Sequence, residues 1–224
     1  MFEKVFLKMD KLPWKLLKGI LMNDKYYIFG ASGHAKVVLE LATASNIKIE
    51  AVVDDLPKSK MLLGFPVVQT NNFQPSETSN FIIAIGDNTI RKKIATSKKY
   101  NFFKAIHPSA TVAKSVTIDQ GTVIMPQAVI NAAAKIGSHC IINSASVVEH
   151  DCKIGDYVHI SPKAALAGNV SVGEGTHIGI GACVIQGIKI GKWATIGAGA
   201  VIIANVPDYA VVVGNPGKII KHNI

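Results

Sequence analysis

The sequence has 224 residues, of which 49% are hydrophobic, and a formal net charge of +9. This size and composition predict a folded protein of one large or two modest domains, and no apolar run approaches the roughly 18 residues that a transmembrane helix needs. Because the N-terminus also lacks the apolar core and cleavage site of a secretory signal, we expect a cytoplasmic protein.

The positive charge lies mainly in the first half, where residues 1 to 108 hold 16 basic and 9 acidic side chains. Basic clusters can bind nucleic acid, but no set of aromatic and basic side chains suited to stacking bases accompanies this one. A basic surface also favours phosphorylated small molecules, which is the interpretation we prefer. The cysteines lack the spacing of a metal site or of a disulfide framework, so we expect no metal and three free thiols: Cys140, Cys152 and Cys183.

Residues 1–24, "MFEKVFLKMDKLPWKLLKGILMND", are interpreted as an N-terminal extension with a net charge of +2. Leucines and Trp14 alternate with lysines, so a helix lying weakly on a membrane surface is one interpretation. Pro13 would interrupt that helix. A mobile arm or a packing segment is the alternative.

Residues 25–107 are predicted to form a Rossmann-like domain. The stretch "YYIFGASGHA" indicates an apolar strand and a glycine turn, and the helical pattern "AKVVLELATAS" follows. A second strand, "IEAVVDD", ends in Asp54 and Asp55, and a third, "FIIAIGDN", leads to another glycine turn. This βαβ pattern is typical of a site with phosphate at the turn and a carboxylate near a ribose or base. Only Gly30 and Gly33 hold the register of G-x-G-x-x-G, so a single nucleotide matches better than a dinucleotide cofactor.

Residues 108–224 carry a repeat of six residues. Every sixth residue from Val112 to Ile202 is aliphatic, over sixteen repeats, and a small or β-branched residue lies two positions before each of them. A helix or a simple alternating strand does not have this period, whereas a short strand followed by a corner does. The pattern predicts a parallel β-helix with three repeats in each 18-residue coil, and coils stacked about 4.8 Å apart.

This repeat resembles that of the hexapeptide-repeat acyltransferases, and the resemblance implies a left-handed β-helix and a homotrimer. The side chains that point outward can then be assigned to three faces. The first face carries Thr111, Val129, Val147, Ala165, Cys183 and Val201. The second face carries Thr117, Lys135, Lys153, Ser171 and Lys189. The third face carries Val123, Ile141, His159, His177 and Thr195. Because outward apolar side chains indicate an interface, we expect the first and third faces to meet across subunit boundaries and the second to meet water.

The stretch "VVEHDCKIGDYVHISP" places His150 at the corner between the first and second faces, half a coil from His159. A neutral histidine can accept a proton from an attacking amine or hydroxyl, and an adjacent carboxylate can orient its ring. Asp151 is the better candidate for that carboxylate, because alternate residues at a corner, such as Glu149, tend to point apart. The two histidines point apart within one subunit, but packing the first face against a neighbour's third face would bring them into one cleft.

The alternative is that His150 is simply an exposed corner residue. His177 is predicted to line the wall of the site without a catalytic role. Surface or corner placement is expected for three other histidines: His107, His139 and His222.

Together, "GASGHAKVV", "VVDD", "IAIGDNTIRKKI", "NSASVVEHDCKIGDYVHISP" and "LAGNVSVGEG" closely resemble the bacterial nucleotide-sugar N-acetyltransferases of the bacillosamine pathway, over about residues 25 to 224. The sialic-acid O-acetyltransferases are near relatives. The resemblance implies acetyl transfer from acetyl-CoA to the 4-amino group of a UDP-linked amino sugar in glycan biosynthesis, with the N-terminal domain holding the nucleotide.

Position by position, the resemblance implies that His150 is the catalytic base, that Asp151 raises its basicity and that Asn143 is a polar residue nearby. The positions that match acetyl-CoA contacts are His159, Gly168, Ile180 and Ala198. The positions that match nucleotide-sugar contacts are Ser32, Gly33, His34, Asp54, Asp55 and Gly86. The sequence departs from the family at Ala198, where glycine is common, and at Gly217 of "VGNPGKII", where alanine is usual.

Other acceptors are compatible with the same residues, namely a sialic-acid hydroxyl or a GDP- or dTDP-linked amino sugar. A β-helix that binds or scaffolds without catalysis is the alternative from a different class. The presence of both "EHD" and His159 argues against it.

Overall fold

The computed structural model describes residues 24 to 223, so the predictions made for the N-terminal extension lie outside the described residues. The chain begins with an α/β domain. Its elements are β1 (Lys25–Phe29), α1 (Gly33–Ala44), β2 (Ile49–Asp54), β3 (Met61–Leu62), β4 (Phe65–Gln69), a 3₁₀ turn (Thr70–Asn72), β5 (Ser79–Ile83), α2 (Asn88–Ser97) and β6 (Asn101–Phe102). The sheet order is β3-β4-β2-β1-β5-β6, parallel except for β3 against β4. The predicted Rossmann-like βαβ pattern is confirmed.

The helix α1 joins the two halves of the molecule. Its buried side chains recur at the three- and four-residue spacing of one helix face: Ala35, Val38, Leu39, Leu41 and Ala42. They share one hydrophobic cluster with Ile28 and Ile82 of the sheet and with Val123 and Ile141 of the second half. The two halves therefore share an apolar core.

The second half is a parallel β-helix of two-residue strands, as the six-residue period predicts. The strands are β7 (Ala105–Ile106), β8 (Thr111–Val112), β9 (Thr117–Ile118), β10 (Val123–Ile124), β11 (Val129–Ile130), β12 (Lys135–Ile136), β13 (Ile141–Ile142), β14 (Val147–Val148), β15 (Lys153–Ile154), β16 (His159–Ile160), β17 (Ala165–Leu166), β18 (Ser171–Val172), β19 (His177–Ile178), β20 (Cys183–Val184), β21 (Lys189–Ile190), β22 (Thr195–Ile196) and β23 (Val201–Ile202). A hairpin of β24 (Ala210–Val213) and β25 (Lys218–His222) follows. The expected domain boundary at residues 107 and 108 falls just after β7, which already pairs with β10.

Strands pair with the strand 18 residues later, which stacks the three predicted faces as three sheets. The inward aliphatic residues from Ile124 to Ile202 are buried, and the inward positions that alternate with them hold small or β-branched side chains. Cys140 and Cys152 occupy such small positions and are buried, whereas Cys183 points outward; all three are free thiols.

The faces differ in what covers them. On the second face the lysines are exposed, as predicted: Lys135, Lys153 and Lys189. On the third face, Val123 and Ile141 are buried in the core shared with α1. The expectation that the third face as a whole meets a neighbouring subunit is therefore wrong for these coils, because the chain's own N-terminal domain occupies them.

His139 also differs from its expected surface placement. It lies at a corner, as expected, but it is buried with its ring 4.5 Å from that of Phe102 and stacked 5.4 Å from that of Tyr157. The N-terminal domain covers this corner, and the six-residue repeat does not predict that contact.

Across residues 24 to 223, none of the helices is both long enough and apolar enough to cross a membrane. Within the same range, histidine, cysteine and acidic side chains do not form a group of three or more that could hold a metal ion.

Candidate active site

The glycine turn after β1 lies at the carboxyl ends of the parallel strands, with β2 on one side of β1 and β5 on the other. Ligands of open α/β sheets bind at such a switch point. Gly30 has φ +104°, and a Cβ there would lie 2.9 Å from Cγ1 of Ile85. Glycine is needed here because the loops after β1 and β5 lie side by side.

Asp54, at the end of β2, holds this turn in place. Its Oδ2 accepts a hydrogen bond from the Ala31 N–H at 2.7 Å, and its Oδ1 accepts one from the Leu56 N–H at 2.8 Å. A carboxylate has further lone pairs, so it can also accept from a ligand hydroxyl. Asp55 instead accepts from Oγ1 of Thr70 at 2.7 Å.

A cleft of about 430 Å³ opens beside the turn. Its lining includes three predicted nucleotide-sugar residues, Ser32, Gly33 and Asp54. It also includes Lys36 and Lys58, which were not predicted from the sequence. The Ser32 side chain makes no capping bond to α1, whose first N–H groups can therefore bind an anion. A lysine one turn into a helix that follows a glycine turn is the signal that could have identified Lys36.

The candidate base lies on the β-helix. His150 Nδ1 and Asp151 Oδ2 are 2.8 Å apart, and the ring is exposed. Asp151 is at a corner of the β-helix with φ 61°. The Nε2 atom lies above Gly168, where a Cβ would be only 2.5 Å from it. Gly168 thus leaves the room that this ring position requires.

His159 lies at the junction of the two domains. Its ring stacks on that of His177 at 4.8 Å, and its Nε2 is 3.0 Å from Nδ2 of Asn143. The Asn143 Oδ1 accepts from the Ser144 N–H, so its NH₂ group faces the ring and the ring proton is assigned to Nδ1. Burial first, and then the charge of His177, lowers the pKa of His159 to about 3.

Two predicted nucleotide-sugar residues approach His159 from the N-terminal domain. The charge of His34 contributes to its lowered pKa, and the backbone of Gly86 acts in the opposite direction. The Nε2 of His34 and the Nδ1 of His159 are both buried and make no hydrogen bond to the described residues. The structure therefore brings together residues that were assigned to different ligands.

The remaining acetyl-CoA candidates, Ile180 and Ala198, are exposed one coil apart at the corner between the third and first faces. His150 lies at a different corner, between the first and second faces, which is opposite the third face. Within one chain the candidate base is thus on the far side of the β-helix from His34 and Gly86.

The buried histidines predict that the protein loses stability in acid. Burial first, and then the charge of Arg91, lowers the pKa of His34 and of His139 to about 4. Between pH 6.5 and about 4 these rings and that of His159 are neutral when folded but bind protons when unfolded. Their contribution is therefore complete above pH 6.5 and is lost as the pH falls. We expect the melting temperature to fall from pH 7.5 to 4.5, because unfolding near pH 5 takes up protons on these three rings and also on His177, whose pKa is lowered by burial.

Calorimetry of His139→Phe tests the cause. The equivalent corner positions hold Tyr157 and Trp193 at similar φ, so an aromatic ring is compatible with this backbone. The proton uptake should decrease by about one. An unchanged pH dependence in His139→Phe would show that His139 does not contribute.

Two family models match the chain. The PglD N-terminal domain matches residues 25–98, and the bacterial transferase hexapeptide (six repeats) matches residues 133–168. A curated relative, the UDP-N-acetylbacillosamine N-acetyltransferase of Bacillus subtilis (strain 168), is 46% identical over an alignment of 107 residues that covers 44% of this chain and 50% of the relative. The chain thus spans about half the length of the curated relative it matches.

Solved structures match over a longer range. A mutant of perosamine N-acetyltransferase from Caulobacter crescentus, in complex with CoA and GDP-perosamine, is 38% identical, with 90% of this chain and 99% of that chain covered and a TM-score of 0.82. The acetyltransferase domain of PglB from Neisseria gonorrhoeae FA1090, in complex with acetyl coenzyme A, is 40% identical, with 89% and 100% covered and a TM-score of 0.82.

Proposed function

We propose, since this chain belongs to the hexapeptide-repeat family of nucleotide-sugar N-acetyltransferases, that it transfers the acetyl group of acetyl-CoA to the 4-amino group of a UDP-linked amino sugar of the bacillosamine type. The observation that carries the proposal is the His150–Asp151 pair, whose free Nε2 faces outward on a β-helix joined to a nucleotide-sized cleft. We assign the activity to the cytoplasm and a weak membrane-surface contact to residues 1–24.

The cleft beside the glycine turn is assigned to the nucleotide. The free N–H groups of α1, together with Lys36 and Lys58, would bind the diphosphate. Asp54 would accept from a ribose hydroxyl, as acidic residues do at the end of the second strand in this fold. Gly86 and His34 would then lie on the sugar side, toward His159.

His150 is assigned the role of general base. The sugar amine attacks the carbonyl carbon of the thioester, and His150 Nε2 takes the proton that the nitrogen loses. The carbon–sulfur bond then breaks, and the proton passes to the departing CoA sulfur. Asp151 holds Nδ1, which keeps Nε2 free to accept and stabilises the cation formed.

A homotrimer would complete this site. His150 is opposite the third face of its own chain, so a bound sugar near His159 needs the His150 of another subunit. The first face offers an apolar surface for such contact, and exposed isoleucines extend it: Ile180, Ile185 and Ile203. Acetyl-CoA would lie along the corner of Ile180 and Ala198, between subunits.

The test measures free CoA thiol released from acetyl-CoA with a panel of sugar nucleotides, followed by mass spectrometry of the products. We expect release only with a 4-amino sugar, and most rapidly with the UDP-linked one. A GDP-linked 4-amino sugar is the second candidate, because the Caulobacter structure contains GDP-perosamine. Release with a sialic acid and not with any amino sugar would contradict the proposal.

Asp54→Ala should weaken binding of the sugar nucleotide about tenfold or more, because the variant loses a charged acceptor that also holds the glycine turn. The affinity for acetyl-CoA should remain nearly unchanged, since the two ligands are assigned to different domains. Calorimetry with each ligand alone measures both. Asp54→Asn, which keeps one side-chain oxygen, should lose less affinity for the sugar nucleotide. An equal loss of affinity for both ligands in Asp54→Ala would contradict the assignment of the two ligands to different domains.

A further inference from the structure

Backbone carbonyl groups form a ladder along the corner between the second and third faces. His139, Tyr157 and Gly175 occupy this corner in successive coils with φ of 54°, 59° and 69°. Their N–H groups bond to the preceding coil, but within residues 24 to 223 their carbonyl oxygens accept no backbone hydrogen bond. Buried carbonyl groups without a donor are costly, so this ladder needs side-chain partners.

The helix α2 supplies those partners. Arg91 donates from Nε to the His139 oxygen at 2.8 Å and from Nη2 to the Tyr157 oxygen at 2.8 Å. Asn88 donates from Nδ2 to the Gly175 oxygen at 3.0 Å. Arg91 Nη2 also donates to Oδ1 of Asn88 at 2.7 Å. The two side chains therefore form one hydrogen-bonded unit that covers three coils.

The other side of Arg91 faces the N-terminal domain. Its Nη1 donates to the carbonyl oxygens of Ile85 and Gly86 at 2.9 and 3.2 Å. All five N–H donors of the guanidinium are thus used, and the residue is 1% exposed without a carboxylate partner within 4.0 Å among the described residues. One planar group fixes the loop of Gly86 to the coil that carries Tyr157 and, two residues later, His159.

We propose that Arg91 is a positioning residue that sets where the sugar of the bound nucleotide lies relative to the acetyl-transfer site. The identity of the substrate in this inference rests on the proposed function. The hydrogen bonds of Arg91 are features of the structure and do not depend on that function. Arg91 does not line the nucleotide cleft, which is formed by the turn after β1 and by Asp54. Its loss should therefore move the sugar without removing the groups that bind the nucleotide.

Lysine cannot replace this arrangement. Its ammonium is a point charge with three donors, whereas the five acceptors here lie around a planar fork. Arg91→Lys keeps the charge and most of the length, and it removes the simultaneous contact with both domains. Lys92→Met is the matched control. Lys92 also contacts the β-helix, where it pairs with Glu174 and lies over the Trp193 ring, but its side chain is partly exposed whereas that of Arg91 is buried.

The first measurement separates kcat from ligand affinity. For Arg91→Lys we expect kcat to fall about 10- to 100-fold, the usual effect of a displacement near 1 Å, while the Kd values of UDP and CoA change less than about threefold. Lys92→Met should retain kcat within about threefold. An unchanged kcat in Arg91→Lys, or a loss of UDP affinity as large as the loss of kcat, would overturn the proposal.

Hydrogen exchange of the amides of residues 84 to 90 gives a readout without turnover. Arg91→Lys should raise exchange in this segment and leave the β-helix strands protected, and Lys92→Met should not raise it. Asn88→Ser, which keeps Arg91 but shortens the ladder, is the second variant if Arg91→Lys does not fold, with a smaller effect in the same direction. If the parent enzyme releases no CoA with any sugar nucleotide, the proposed function has failed. Independently of that result, unchanged hydrogen exchange of residues 84 to 90 in Arg91→Lys would overturn the positioning role of Arg91.

Discussion

His150→Ala is expected to lower turnover by roughly 10² to 10⁴, the usual contribution of a general base. The Nε2 atom is the free proton acceptor of the His150–Asp151 pair, and alanine leaves none in its place. Because the ring is 61% exposed at a corner of the β-helix, its removal should leave folding intact. Steady-state kinetics with acetyl-CoA, together with calorimetric binding of UDP and CoA, measures the loss of turnover against retained binding.

Two neighbouring variants show whether the ring acts as described. Asp151→Asn replaces an acceptor with a group that can present NH₂ to Nδ1, so it should cause a smaller loss by favouring the wrong tautomer. Gly168→Ala should displace the ring, since its Cβ would lie 2.5 Å from Nε2. If His150→Ala keeps turnover within a few-fold of the parent, another residue is the base.

The six-residue period predicted the β-helix in detail because each repeat is a complete local unit. An aliphatic residue, a small residue two positions earlier and a corner residue determine which side chain points inward, whatever the rest of the chain does. The stacking of Lys135 on Lys153 and of His159 on His177 follows from the 18-residue coil alone. The βαβ pattern was equally local, since an apolar strand, a glycine turn and a helix lie within 20 residues.

The surroundings of the site could not be predicted in this way because they depend on contacts between domains. Arg91 begins a run of three basic residues in α2, a pattern that gives no sign of burial, yet the residue is buried because distant coils supply its acceptors. His139 is buried because Phe102 of the N-terminal domain covers its corner. The third face was interpreted as a subunit interface because Val123 and Ile141 are apolar, and an apolar residue does not specify which surface will cover it.

Val147→Glu is expected to break the proposed homotrimer and to abolish activity. Val147 lies on the first face between Val129 and Ala165, so a carboxylate there would be buried among apolar groups without a partner. Lys153→Glu on the exposed second face should leave the trimer intact. Val201→Glu lies on the same face, three coils from His150, and should act like Val147→Glu, which excludes a merely local effect. Light scattering and circular dichroism should show monomers with a folded β-helix, and an active monomer would contradict the shared site.

Mixed trimers test directly whether two subunits share each site. His150→Ala and His159→Ala trimers should each be impaired, but a cleft that takes His150 from one subunit and His159 from the next is intact when the two variants are adjacent in the right order. Random reassembly from equal amounts should give about a quarter of the clefts both histidines, and so about a quarter of the parent activity. If both histidines act from the same chain, every cleft lacks one of them. Verified mixed trimers without recovery would therefore contradict a site that takes His150 from one subunit and His159 from the next.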